Sequence, residues 1–273
     1  MKHFVPFLLL VGQIAWPQIK TGTVIYADFS QDEITISADS RMNIPDTGEH
    51  DDTECKISAF GDKFAFAMAG AAKAGGEGGW NGHATARQIW RSESTKTDAA
   101  QLVLSVSDKW VTAMEDTYRP PKVIKQLRKH LPDRGTIANG VFAATDNSGN
   151  LIVRAMNIWL ELPLFDLTGS AHLLHSGDYL SGGHSLGGGL DEVIDEFQAQ
   201  SSTRAREYIE WFHTQLSSMS PSQRRATFAA KFIELSILLH PRNSEIGFPI
   251  DVLQLRRTTG IHWVSRKTNC PDH

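Results

Sequence analysis

Four residues in the first third of the chain have types and spacing suited to acyl transfer: Thr23, Asp39, Lys56 and Gly70. A threonine hydroxyl is a weak nucleophile and needs an adjacent base, which a free amine on the same residue can supply. An α-amine titrates near ~8, so a useful fraction is uncharged at neutral pH, whereas an unperturbed lysine near ~10 stays charged. Lys56 beside the hydroxyl would lower its pKa through its own charge or relay its proton, and Asp39 would hold Lys56 and balance that charge. Gly70, with no side chain, would let its backbone N–H approach a carbonyl oxygen on which charge develops. This chemistry is closed while the Thr23 nitrogen is an amide. A cut after Gly22 creates the base, and glycine there tolerates the backbone geometry that attack of Thr23 on its own preceding carbonyl requires.

Read in order, Gly22-Thr23-Val24-Ile25, Ala38-Asp39-Ser40-Arg41, Cys55-Lys56-Ile57 and Ala67-Met68-Ala69-Gly70 resemble the catalytic β subunits of the proteasome. In that family a glycine precedes the mature N-terminal threonine, and an A-D-S-R-like motif sets an aspartate sixteen residues after it. The family's lysine lies fourteen residues before the glycine of an A-G pair, and both spacings hold here. One extra residue between Asp39 and Lys56 falls in the segment 42–54. Further along, Ser176 of His175-Ser176-Gly177-Asp178 matches the serine of an S-G pair that hydrogen-bonds near the terminal amine. Arg242-Asn243-Ser244-Glu245-Ile246-Gly247, followed by Ile250-Asp251-Val252, lies where the family reads R-D-x-x-S-G and then I-D-V. Here Asn243 replaces the aspartate and Ile246 the serine; Asn243 keeps a side-chain acceptor and Ile246 does not.

The resemblance implies an α+β chain folded as a four-layer αββα sandwich of the N-terminal-nucleophile type. It implies a threonine peptidase that frees its own terminus at Gly22-Thr23, with Thr23, Asp39, Lys56, Gly70, Ser176 and Asn243 at the site. It further implies a peptide or unfolded protein as substrate, a homo-oligomeric ring, and neither cofactor nor metal. The departures at Asn243 and Ile246 leave a non-catalytic ring subunit as the alternative.

Three other patterns compete. Gly183-His184-Ser185-Leu186-Gly187 matches the G-x-S-x-G elbow that would make Ser185 a nucleophile. That elbow needs a buried strand before the serine and several β-α units after it; Asp178 to Gly182 reads as a poor strand, so the segment reads as a glycine-rich loop. His172 and His175 form H-x-x-H without an acidic or further histidine partner at helical spacing, which favours two strand or loop histidines over a metal site. Gly75-Gly76-Glu77-Gly78-Gly79 lacks the Gly-Lys-Ser/Thr ending of a phosphate loop and reads as a flexible connection.

Strand-like runs at residues 24–29 and 34–38 flank Ser30-Gln31-Asp32-Glu33, and runs at 56–60 and 63–68 flank Gly61-Asp62, giving two hairpins. Ala99, Leu102, Val103, Val106, Trp110, Val111 and Met114 recur at helical spacing, with a shorter helix before them near Thr85 to Ser92. A third hairpin spans 141–146 and 151–158 about Asn147-Ser148-Gly149-Asn150. Residues 190–197 and 205–216 are amphipathic, and Ser220, Pro221 and Gln223 open a helix that ends near Leu239, before Pro241. A last hairpin, 249–255 with 261–264, turns at Thr258-Thr259-Gly260. This order suits two antiparallel sheets face to face with helices outside them rather than a doubly wound sheet.

The chain has 273 residues, 41% of them hydrophobic, enough for one large core, and shows no linker that would divide residues 23–273. A net charge of -4 without a dense basic block excludes a nucleic-acid face and an anionic membrane surface from the expected partners. Cys55 and Cys270 match neither a zinc spacing nor a C-x-x-C motif and read as two free thiols; a bridge requires that the positions meet, which spacing leaves open. Within the leader 1–22, Met1-Lys2-His3 is followed by an apolar run from Phe4 to Trp16, the layout of a secretory signal over residues 1–18 and too short to cross a bilayer. Gln13 makes a cut after Ala15 a poor one, and a hydrophobic pro-segment is the alternative. Residues 1–18 fused to a reporter active only outside the cytoplasm should light it; a dark reporter returns the segment to the pro-peptide.

Overall fold

The alternation in Phe64-Ala65-Phe66-Ala67-Met68-Ala69 decides how the layers stack. Side chains along a strand point to opposite faces in turn, so Phe64, Phe66 and Met68 enter one apolar cluster and Ala65, Ala67 and Ala69 enter another. The large residues meet helices. The small ones let a second sheet approach.

In the computed structural model the described residues are 19–22, 24–44, 47–74, 79–120, 123–124, 136–161, 172–180, 184–188, 203–239 and 246–270. The first sheet contains β1 (Ile19–Gly22), β4 (Met42–Ile44), β5 (Glu49–Asp51), β6 (Ile57–Phe60), β7 (Phe64–Ala74), β8 (Trp80–Asn81), β9 (Thr136–Thr145), β10 (Leu151–Glu161) and β11 (His172–Leu180). Its order is β11-β10-β9-β7-β1-β4-β5, with β6 and β8 also pairing β7. The second sheet has the order β12-β2-β3-β13-β14, built from β2 (Ile25–Phe29), β3 (Glu33–Ala38), β12 (His184–Gly188), β13 (Asp251–Arg256) and β14 (Gly260–Ser265). Every pairing is antiparallel.

Helices α1 (Gly82–Glu93) and α2 (Ala99–Tyr118) start where Asn81 and Asp98 accept the N–H groups of Ala84 and Gln101 at 3.0 and 2.8 Å. Their apolar faces bury Val103, Val106, Trp110 and Met114 with Phe66, Phe142 and Met156 of the first sheet. Trp110 is the centre of that layer: its ring meets Phe66 and Phe142 edge-on at 5.5 Å from each, and its Nε1 donates to the Gly82 carbonyl at 3.0 Å. Helices α3 (Thr203–Leu216) and α4 (Pro221–Leu239) follow, and α4 covers the second sheet through Ala229, Phe232 and Ile233 against Val24 and Tyr26. The capping box at its start is formed, with the Ser220 N–H donating to Gln223 Oε1 at 3.1 Å and the Gln223 N–H to Ser220 Oγ at 3.4 Å. Ser37 Oγ also donates to the Ala229 carbonyl at 2.8 Å.

The expected four-layer αββα sandwich is corrected. The described residues form a mixed α/β structure with antiparallel sheets and four helices, without the parallel-packed helices of that sandwich. The physical reason lies in the connections. Residues 94–98 join α1 to α2 and residues 217–220 join α3 to α4, links short enough to make each pair an antiparallel hairpin. The four expected hairpins and four expected helices from 24 to 158 and from 205 to 264 are present at these positions, while 190–197 and the leader 1–18 lie outside the described residues. Residues 184–187 of the glycine-rich segment are not a loop but lie in strand β12, and Asp178 to Leu180 of the poor strand before it end β11. No helix among the described residues is long and apolar enough to cross a membrane.

Trp110→Ala would remove the largest fully buried side chain among the described residues, and with it the indole donor to the Gly82 carbonyl; a loss of about 3–5 kcal/mol is expected. It is read as a lower urea midpoint with the slope unchanged, and a midpoint within error of wild type contradicts this packing.

Candidate active site

Strand β7 brings the candidate residues together by sharing one of its edges between two strands. Strand β9 pairs β7 over residues 64–70, so β6, which pairs it over residues 64–67, must lie on the opposite edge. The order β9-β7-β1 puts β1 on that same edge, over residues 70–74. Thus β1 runs toward the start of β6, and the ends that face each other are Gly22, opposite Gly70, and Lys56, whose carbonyl accepts the Met68 N–H at 3.3 Å. Two residue steps along β7, from Met68 to Gly70, separate these points, roughly 7 Å at strand spacing. The chain leaves this junction through Thr23, which itself lies outside the described residues, and continues into β2.

Asp39, at the end of β3, ties the junction. It is fully buried, and its Oδ1 accepts both Lys56 Nζ at 2.5 Å and the Val24 N–H at 3.1 Å. Its Oδ2 accepts the Arg41 and Gly247 N–H groups at 2.9 and 3.1 Å. One carboxylate therefore joins the residue after Thr23 to the lysine and to the segment that leads into β13. Lys56 is as deeply buried as its partner, and burial lowers its pKa, opposed by the charge and hydrogen bond of Asp39. The charge of Lys267 adds to the lowering, and Glu54 works against it. A lysine so placed gives up a proton more readily than one in water.

Gly70 has φ +90, and a Cβ there would stand 2.2 Å from the Ile137 carbonyl oxygen. Glycine is thus required by the β7–β9 contact itself, independently of any approach by substrate. Ser176 is not brought to the junction. It lies on β11, opposite Asn157, at the edge of the first sheet and three strands from β7, about 14 Å at a strand spacing of ~4.8 Å. Its neighbour His175 hydrogen-bonds Glu115 of α2 at 2.7 Å, and among the described residues no group of three His, Cys, Asp or Glu side chains could hold a metal. Asn243 lies outside the described residues. Ile246, the departure from serine, is buried in the cluster that holds Val24 and Tyr26, which gives that substitution an apolar rationale. Ser185 pairs opposite Asp28 within β12, the outer strand of the second sheet, rather than at a strand-to-helix turn.

Three contributors escaped the sequence reading. The Gly247 N–H reaches Asp39, a role that only the fold reveals since the two are far apart in sequence. Arg41 makes a two-pronged ion pair with Asp52 at 2.6 and 2.7 Å, and its hydrogen bonds, helped by its charge, hold the Asp52 carboxyl below the usual range. Cys55 and Cys270, read as free thiols, form a disulfide with Cα atoms 5.7 Å apart, because the C-terminal tail returns to the start of β6.

No protein-family model matches this chain, and no curated protein matches it either.

Because burial lowers Lys56 in the folded state, the unfolded chain binds more protons between that lowered value and the unfolded one near ~10.4. The contribution of Lys56 to stability therefore rises with pH across that window. Urea midpoints followed against pH should show wild type gaining on Lys56→Met as pH climbs; a constant difference contradicts the buried environment.

Proposed function

We propose that this chain is a threonine peptidase of the proteasome-like kind, with Thr23 as an N-terminal nucleophile generated by cleavage at Gly22-Thr23. The observation that carries this reading is the Asp39 Oδ1 atom, which holds both Lys56 and the backbone of the residue that follows Thr23. In the precursor, Thr23 Oγ1 attacks the Gly22 carbonyl carbon. The carbon–nitrogen bond breaks as an ester to Oγ1 forms, and the hydroxyl proton ends on the freed amine by way of Lys56. Water then hydrolyses the ester and releases residues 1–22 with a C-terminal carboxylate.

In the mature chain the Thr23 amine takes the hydroxyl proton as Oγ1 adds to a substrate carbonyl, and the Gly70 N–H meets the developing oxyanion. The proton passes to the departing amine, and water resolves the acyl ester. Strand β1 supports a peptide as substrate: it lies between β7 and β4, with Thr21 opposite Ala71 and Asn43. Its release would open two strand edges to an extended chain, which is a general mode of peptide capture. Homo-oligomeric ring assembly rests on the sequence resemblance, and the Cys55–Cys270 bridge favours an oxidising compartment and so an exported protein.

Intact mass should show a chain that begins at Thr23, and Thr23→Ala should keep the precursor whole and abolish peptide hydrolysis. Lys56→Ala should lower the rate by ~10²-fold or more, with Ser185→Ala close to wild type. An active Thr23→Ala protein together with an inactive Ser185→Ala protein would refute the threonine mechanism.

A further inference from the structure

A second buried lysine–aspartate pair stands directly behind the first. Lys267, three residues from the disulfide at Cys270, is almost wholly buried, and its Nζ lies 3.1 Å from Asp251 Oδ2. The same Nζ donates to Ser40 Oγ at 2.7 Å and to the Glu54 carbonyl oxygen. Its three donors therefore have three partners. Two of these partners flank the catalytic candidates: Ser40 follows Asp39, and Glu54 lies two residues before Lys56. Ser40 is further fixed by its N–H donating to the Gly247 carbonyl at 3.0 Å and its hydroxyl donating to the Pro249 carbonyl. The tail that carries Lys267 is held on both sides, by the Lys267 N–H on Asp251 Oδ1 at 2.9 Å and by the Cys55–Cys270 bridge, which attaches it to the residue before Lys56.

We propose that the disulfide-anchored C-terminal tail belongs to the machinery of the Asp39–Lys56 pair, with Lys267 as a positioning residue that fixes the backbone on both sides of that pair. The catalytic consequence rests on the threonine-peptidase reading; the positional one does not. The charged groups around it are accounted for. Asp39 and Glu54 face Lys56 from the acidic side and Lys267 from the basic side. The Glu54 carboxylate is taken by Lys73 at 2.6 Å, the Asp52 carboxylate by Arg41, and Asp251 by Lys267. Loss of the Lys267 charge removes a repulsion from Lys56 and leaves Asp251 unpaired, and both changes favour the protonated form of Lys56.

The test compares full-length wild type, Lys267→Met, Lys267→Arg and wild type whose bridge is reduced after folding. The titration of Lys56 is followed by NMR on lysine-labelled protein, its signal assigned with Lys56→Arg. In Lys267→Met the Lys56 titration should move to higher pH, with Lys267→Arg restoring it and the reduced protein moving in the same direction. Peptide hydrolysis should fall by ~10- to 10²-fold in kcat with KM nearly unchanged, as expected for a displaced catalytic group. Lys56 titration curves that superimpose in wild type, Lys267→Met and the reduced protein overturn the proposal. If Lys267→Met does not fold, the reduced wild type decides. A wild type that hydrolyses nothing refutes the peptidase reading alone, since the Lys56 titration is read without activity.

Discussion

The buried ion pair of Asp39 and Lys56 is the constraint to which the rest of the site conforms. Two opposite charges taken out of water seldom stabilise a fold relative to an apolar pair of the same size, yet losing one partner costs about 3–5 kcal/mol. Against a total stability on the order of 5–15 kcal/mol, such a pair is a hazard unless every lone pair and proton is satisfied. Here Asp39 accepts from Lys56 and from three backbone N–H groups contributed by residues 24, 41 and 247. Those three come from separate stretches of chain. Satisfying one carboxylate therefore fixes the entry to β2, the turn after β3 and the approach to β13 at once.

The remainder of the architecture serves that junction through β7. Its large residues carry the helical layer and its alanines admit the second sheet, from which Asp39 extends. Its far edge is held by β9, and its near edge is divided between β6 and β1, so that Lys56 and Gly22 face each other across a short gap. At the gap stands Gly70, where the strand adopts a φ that an L side chain avoids and where the Ile137 carbonyl excludes a Cβ. Behind it, the C-terminal tail adds Lys267 and a disulfide, so the last part of the chain contributes to a site whose main members lie in its first third.

Much of this was legible in the sequence where the signal is local. The turns at Ser30–Glu33, Gly61-Asp62 and Asn147–Asn150 mark hairpins because their residues favour turn backbone, and the capping box at Ser220 fixes the start of α4. The spacing of Thr23, Asp39, Lys56 and Gly70 identified the residues around the junction, of which the structure describes the last three. What stayed hidden depends on distant partners. Strands β1, β4 and β5 have only three or four residues each and no periodicity to read, and β12 has glycines where β-branched residues would have signalled a strand. Ser176 fits the expected motif locally, but its strand pairs outermost in the sheet, and sequence spacing carries no information on strand order. The layer arrangement failed for the same reason. Loop lengths, rather than element order, set how the helices pair.

The threonine mechanism differs from its serine rival in which oxygen becomes acylated, and trapping the acyl-enzyme distinguishes the two. The purified full-length chain would be exposed to an activated peptide ester, quenched in acid, and mapped by fragmentation mass spectrometry. One acyl group is expected on a peptide that begins at Thr23, with its hydroxyl as the site. An acyl group on Ser185, or a chain that keeps Gly22 joined to Thr23 and takes up the label elsewhere, would contradict the threonine mechanism.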